Sequence, residues 1–126
     1  MVKIIAVALG GGIGSLGRYG IALIAERLTN THFPLATLGA NLTGCLLIGF
    51  FWGYFDKLPI SNEFRLFVFT GFLGGFTTFS TFARESVQFI KAGEPYHALT
   101  YLLTSNILGL IMVGIGFFLS QRLLRL

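Results

Sequence analysis

Residues 71–82 read GFLGGFTTFSTF, which puts three glycines, four phenylalanines and four hydroxyl side chains between Gly71 and Phe82, in the middle of a hydrophobic chain. That mixture makes a poor membrane helix. Gly74 and Gly75 each cost roughly 1 kcal/mol of helix propensity, and Thr77, Thr78, Ser80 and Thr81 can divert backbone hydrogen bonds to their own side chains. The stretch predicts a helix broken near its middle. Inside hydrocarbon, freed carbonyls and amides are tolerated only where protein buries them or where they line a polar cavity. A break at this depth therefore marks a candidate ion site.

The surroundings fix the class. Of 126 residues, 54% are hydrophobic and 11% charged, and the mean hydropathy is +0.78, which excludes an ordinary soluble domain. Crossing a core of about 30 Å takes about 20 apolar residues. The pattern gives an all-α membrane protein with four spans in a single unit over residues 1–126, at residues 4–25, 35–54, 63–90 and 98–119. Ile4 to Ala25 begins too early and runs too long for a signal peptide, so it is expected to stay in the membrane. Turn residues separate the spans at Thr29 to Pro34, Asp56 to Asn62 and Lys91 to Pro95.

The formal net charge is +4, but no basic run exists, so nucleic acid is not an expected partner. With four crossings, Lys3, Lys57, Arg65, Arg122 and Arg125 fall on the side of the termini, and Arg18, Arg27, Arg84 and Lys91 on or near the other, 5 against 4. So even a balance commits the chain to neither orientation and suggests dual insertion as an antiparallel dimer. Counting loop and terminal residues alone gives 5 against 2 and puts the termini in the cytoplasm. Charge is compatible with both.

Gly10 with Gly14, Gly11 with Ser15 and Gly49 with Gly53 have the spacing that lets helix backbones approach closely in lipid, which indicates a compact bundle and an oligomer. Cys45 reads as a small packing residue, and His32 and His97 as surface residues near loops. Arg18 lies inside the first span, where a charge is costly. It either snorkels to the interface or sits in a water-filled vestibule that draws anions inward. Asn41 offers two amide donors, which suit an anion or an interhelical hydrogen bond. Tyr101, Thr104, Ser105 and Asn106 add donors in the fourth span. Glu85, beside Arg84, reads as a local ion pair or a vestibule residue. Phe72, Phe76, Phe79 and Phe82 form a helical stripe, whose ring edges carry positive charge that can solvate an anion weakly.

Several strings then match a known family: Gly11-Gly12-Ile13-Gly14 with Arg18-Tyr19, Asn41-Leu42-Thr43-Gly44, Gly71 to Phe82 with Arg84-Glu85, and Tyr101-xxx-Ser105-xxx-Gly109. Along essentially its whole length the chain resembles the Fluc (CrcB) fluoride channels. The resemblance implies an antiparallel homodimer in a bacterial plasma or inner membrane, with two pores built from both subunits, that passes fluoride passively out of the cytoplasm. By this likeness Phe79 and Phe82 are the rings facing fluoride, and Asn41 is the amide at the pore. Ser105 and Tyr101 belong to a polar track to which Thr81 and Ser80 contribute, and the carbonyls of Gly74 and Thr77 from both subunits hold a structural sodium ion. Thr104 and Asn106 depart from the family's pattern in making the fourth span more polar.

Two other classes compete. A small multidrug exporter has four short spans but needs a membrane-embedded carboxylate, and the only charge of the first span before Glu26 is Arg18. A structural membrane subunit would account for the glycines but not for the hydroxyl-rich third span. No nucleophile and base are recognisably paired, so an enzyme is not expected.

Overall fold

Long apolar runs, cut by Pro, Gly and short polar residues, set the elements of the computed structural model, which describes residues 1–126. They are α1 (Val2–Leu28), α2 (Leu35–Phe55), α3 (residues 62–76), α4 (Phe79–Lys91) and α5 (Pro95–Leu124). With α3 and α4 taken as one stretch, Asn62–Lys91, four helices are long and apolar enough to cross a membrane. The chain is an all-helical, multi-pass membrane protein.

The last helix exceeds the apolar run at both ends. It begins at Pro95, ahead of Ala98, because proline in a first turn lacks only an N–H that has no helical acceptor there. It continues to Leu124 because polar side chains near its end find partners: Gln121 Nε2 donates to the Gly53 carbonyl at 3.3 Å, and the Arg122 guanidinium lies 5.4 Å from the centre of the Phe118 ring. The other ends are tied locally. Ser61 Oγ accepts the Phe64 N–H at 3.2 Å and caps α3, Arg65 Nη2 donates to the Phe55 carbonyl at the end of α2 at 2.6 Å, and Gly93 turns the chain before α5 with a φ of 76°.

α3 carries a feature for which the sequence gives no signal. Leu66–Leu73 is π-helical, a rare geometry that inserts extra backbone into a turn. The widened segment lies against α1 where that helix has no side chains. A methyl group added at Gly10 would meet the Phe67 carbonyl and the Phe72 amide, and one at Gly14 the Phe72 carbonyl. α1 packs mainly on α3, and α2 mainly on α5. In the second pair Gly49 faces the Val113 carbonyl, Gly116 the Leu46 carbonyl and Gly53 the Ser120 hydroxyl. Of the Gly11 and Ser15 pair only Gly11 packs closely: a methyl group at Gly75 would fall on the Gly11 carbonyl, whereas Ser15 is exposed.

Only 20 of the 126 residues are buried, so most helix surface must be covered by lipid or by another protein. One small core joins Phe82, Phe89, Ala98 and Tyr101; the other joins Phe55, Val68 and Leu73. α4 rests on α5 and α2, which sets the first cluster beside the residues joining α3 to α4.

Candidate functional site

Between α3 and α4 the backbone is extended at Thr77 (φ −93°, ψ 158°) and Thr78 (φ −148°, ψ 122°). Every polar group there needs a partner in a membrane. Thr78 finds both of its own on Asn41 of α2: the Thr78 N–H donates to Asn41 Oδ1 at 2.8 Å, and Asn41 Nδ2 donates to the Thr78 carbonyl at 2.9 Å. This pairing fixes which end of the amide is nitrogen and engages one of its two N–H groups. The Thr78 hydroxyl caps α4 by accepting the Thr81 N–H at 3.3 Å. The Leu73 carbonyl accepts both the Thr77 N–H, at 3.0 Å, and the Thr77 hydroxyl, at 2.9 Å. From α1, Arg18 Nε donates to the Gly75 carbonyl at 3.2 Å. The Thr77 carbonyl accepts no hydrogen bond.

Beside these residues runs an open groove of about 380 Å³. Gly74, Thr77, Thr78, Phe79 and Phe82 line it from the third span, Asn41 and Cys45 from α2, and Ser105 and Asn106 from α5. Its lining contains no charged side chain. The Phe79 and Phe82 rings lie 5.8 Å apart at 51°, and they differ in setting: Phe79 is 79% exposed and Phe82 only 8%. Ser105 Oγ is buried and has no partner. A buried hydroxyl without one costs about 1–3 kcal/mol, so the groove is short of a hydrogen-bonding partner at this point.

Behind Phe82 stands Tyr101, fully buried, its ring meeting Phe82 edge-on at 5.0 Å. Its hydroxyl donates to Glu85 Oε1 at 3.3 Å, with buried Thr37 beside it. Glu85 also lines a second cavity of about 290 Å³ with His32, Gln88, Phe89 and Glu94. The residues singled out in the sequence thus divide among four places. Asn41, Gly74, Thr77, Phe79, Phe82 and Ser105 share the groove, while Tyr101 and Glu85 lie beyond Phe82. Arg18 is bound to the α3 backbone. Ser80 is exposed on the first turn of α4, and Thr81 is half-buried there.

Three further residues border these places. Thr37 lies one helical turn before Asn41 on α2, a spacing that puts both on one face. Cys45 lines the groove, one turn after Asn41. His32, read from the sequence as a surface residue, lines the outer cavity, where the turn before α2 brings it.

Comparison with known proteins gives these positions a context. The family model described as CrcB-like protein, Camphor Resistance (CrcB), matches residues 5–117. A protein of Desulfotalea psychrophila named fluoride-specific ion channel FluC is 54% identical over 124 residues, covering 98% of this chain and 96% of its own. Relatives of the same name from Salinibacter ruber and Aquifex aeolicus are 43% and 40% identical, over 92% and 98% of this chain and 87% and 100% of theirs. The chain therefore belongs to the CrcB (FluC) family, a family of membrane ion channels and not of enzymes.

Proposed function

We propose that the chain forms a fluoride-selective passive channel through which fluoride leaves the cytoplasm, relieving fluoride toxicity. The observation that carries this reading is the uncharged groove, where two phenylalanine rings, a half-used amide and an unpartnered hydroxyl share one lining. Relatives named as fluoride-specific ion channels support the choice of ion. Conduction needs binding strong enough to admit an ion and weak enough to release it. Ring edges and neutral donors meet that condition, since they replace water around a small anion without the grip of a full positive charge. Asn41, Phe79, Phe82 and Ser105 form the pore lining in this reading, and Tyr101, Thr81 and Ser80 extend the polar track. Glu85 stands at the mouth. Arg18 holds the α3 end and supplies positive potential near the vestibule.

The third span acts as a broken helix, and one copy leaves the site incomplete, because Phe79 and Gly74 are exposed on the open side of the groove. A second, inverted copy closes it, giving an antiparallel homodimer with two pores in a bacterial plasma or inner membrane. The family also implies a structural sodium ion held by the carbonyls of Gly74 and Thr77 from both copies. The residues fit such an ion: Thr77 has a carbonyl without a hydrogen bond, Gly74 is exposed beside it, and carbonyl oxygens are hard ligands for a hard cation. When bound, the ion supplies positive potential close to the anion path.

Purified protein in liposomes is expected to release fluoride, with chloride passing far less and no dependence on a proton gradient. Phe79→Ile and Phe82→Ile are expected to suppress fluoride efflux while the protein elutes at the wild-type position in gel filtration. Equal chloride flux, or flux that follows a proton gradient, would reject the channel reading; unchanged flux in both variants would remove the rings from the pathway.

A further inference from the structure

Asn106 lines the groove with a carboxamide to which the reading above assigns no role. It sits on α5 next to Ser105 and is exposed in a helix that crosses the membrane. An uncovered carboxamide at that depth is costly, so it needs a polar cavity or a partner. Its Nδ2 donates to the Leu102 carbonyl at 2.8 Å, one turn back on its own helix. That bond identifies the nitrogen and uses one of its two N–H groups; the second has no acceptor in the chain.

The same holds for its neighbours in the groove. Asn41 gives one N–H to Thr78 and keeps the other, and the Ser105 hydroxyl has no partner at all. Two carboxamides in the lining, with the buried Ser105 hydroxyl beside them, therefore hold unspent donors at one cavity whose lining has no charge and no carboxylate. An excess of neutral donors suits a small dehydrated anion, and an excess of carboxylates would not. We infer that Asn106 is a pore-lining, selectivity-determining residue that donates its second amide N–H to the permeating anion together with Asn41 and Ser105. The bond to Leu102 holds the carboxamide in place for this, so the amide is pre-oriented before the ion arrives. The inference rests on the fluoride-channel reading and adds a donor from the fourth span to it.

The test compares fluoride currents of the wild type, Asn106→Ala and Asn106→Asp across a bilayer at graded fluoride concentrations, with the fluoride against chloride reversal potential measured on each. Asn106→Ala, which removes the donor, is expected to raise the half-saturating fluoride concentration about threefold to tenfold. Asn106→Asp, equal in size but with a second acceptor oxygen and a negative charge in place of the donor, is expected to lower the current at least about tenfold. A side chain that only bonds its own helix would move neither half-saturation nor reversal potential. If Asn106→Asp fails to assemble, Asn106→Ala decides alone. Wild-type half-saturation and reversal potential in the assembled variants overturn the inference while leaving the channel reading intact. A wild-type protein that passes no fluoride overturns both.

Discussion

The α1–α3 seam and the groove beside Thr77 are both built around small residues, yet they use them in opposite ways. In the seam, Gly10 and Gly14 remove side chains so that the Phe67 and Phe72 carbonyls of the π-helical segment can lie on the α1 backbone, and the Gly49 and Gly116 contacts with α5 and α2 repeat the device. In the groove, small residues leave room, and the donors of Asn41 and Ser105 are not used up. Lipid gives helices no hydrophobic reason to associate, so stability is concentrated where backbones touch. Function can then occupy the place where they do not.

The contrast is broken most severely by filling the seam. A methyl group at Gly14 would fall on the Phe72 carbonyl, and one at Gly49 on the Val113 carbonyl; both are backbone atoms that cannot rotate away. Gly14→Ala and Gly49→Ala are each expected to cost about 3 kcal/mol or more, read as a lost or strongly lowered thermal transition in detergent. Near-normal melting of either would mean that the seam yields and that close backbone contact is not what holds these helices.

A smaller loss is expected where the two regions meet. Asn41 supplies both partners of the Thr78 backbone. Asn41→Ala leaves an N–H and a carbonyl without them, at about 1–3 kcal/mol for each group. Asn41→Asp can still accept from the Thr78 N–H but no longer donates to the Thr78 carbonyl, so its melting temperature is expected between those of the wild type and the alanine variant. If Asp and Ala are equally destabilised, the donor half of the pair carries the stabilisation.

This pairing also marks how far the sequence could be read. Four spans follow from hydropathy, and the four long apolar helices agree with them because each span is a local property of about 20 residues. An interhelical hydrogen bond was one of two fates open to Asn41, and its partner, the backbone of Thr78, emerges only when α2 meets the third span. Glu85 shows the limit. Its neighbour Arg84 suggested a local pair, whereas the carboxylate accepts from Tyr101 on α5, sixteen positions away. The π-helical turn was not legible, since Leu66–Leu73 has an ordinary apolar composition and the geometry belongs to its packing on α1. Tyr101 and Ser105 share a helix face by spacing, yet Phe82 stands against Tyr101 while Ser105 lines the groove with its hydroxyl buried.

The mildest substitution sharpens the comparison further, because it asks which outward glycines face lipid. Gly12 has nothing within 4 Å of an added methyl group, although it lies between the packed Gly10 and Gly14 on the same helix. Exposed glycine inside a helix costs about 0.5–1 kcal/mol relative to alanine, so Gly12→Ala is expected to raise stability slightly if that face sees only lipid. Gly74 has nearly as much room in one chain, its nearest contact being the Phe69 carbonyl at 3.8 Å. The proposed dimer, however, places Gly74 against a second copy. Gly74→Ala should then weaken self-association in detergent while Gly12→Ala leaves it unchanged. Equal behaviour of the two would separate Gly74 from the subunit contact and, with it, from the proposed sodium site.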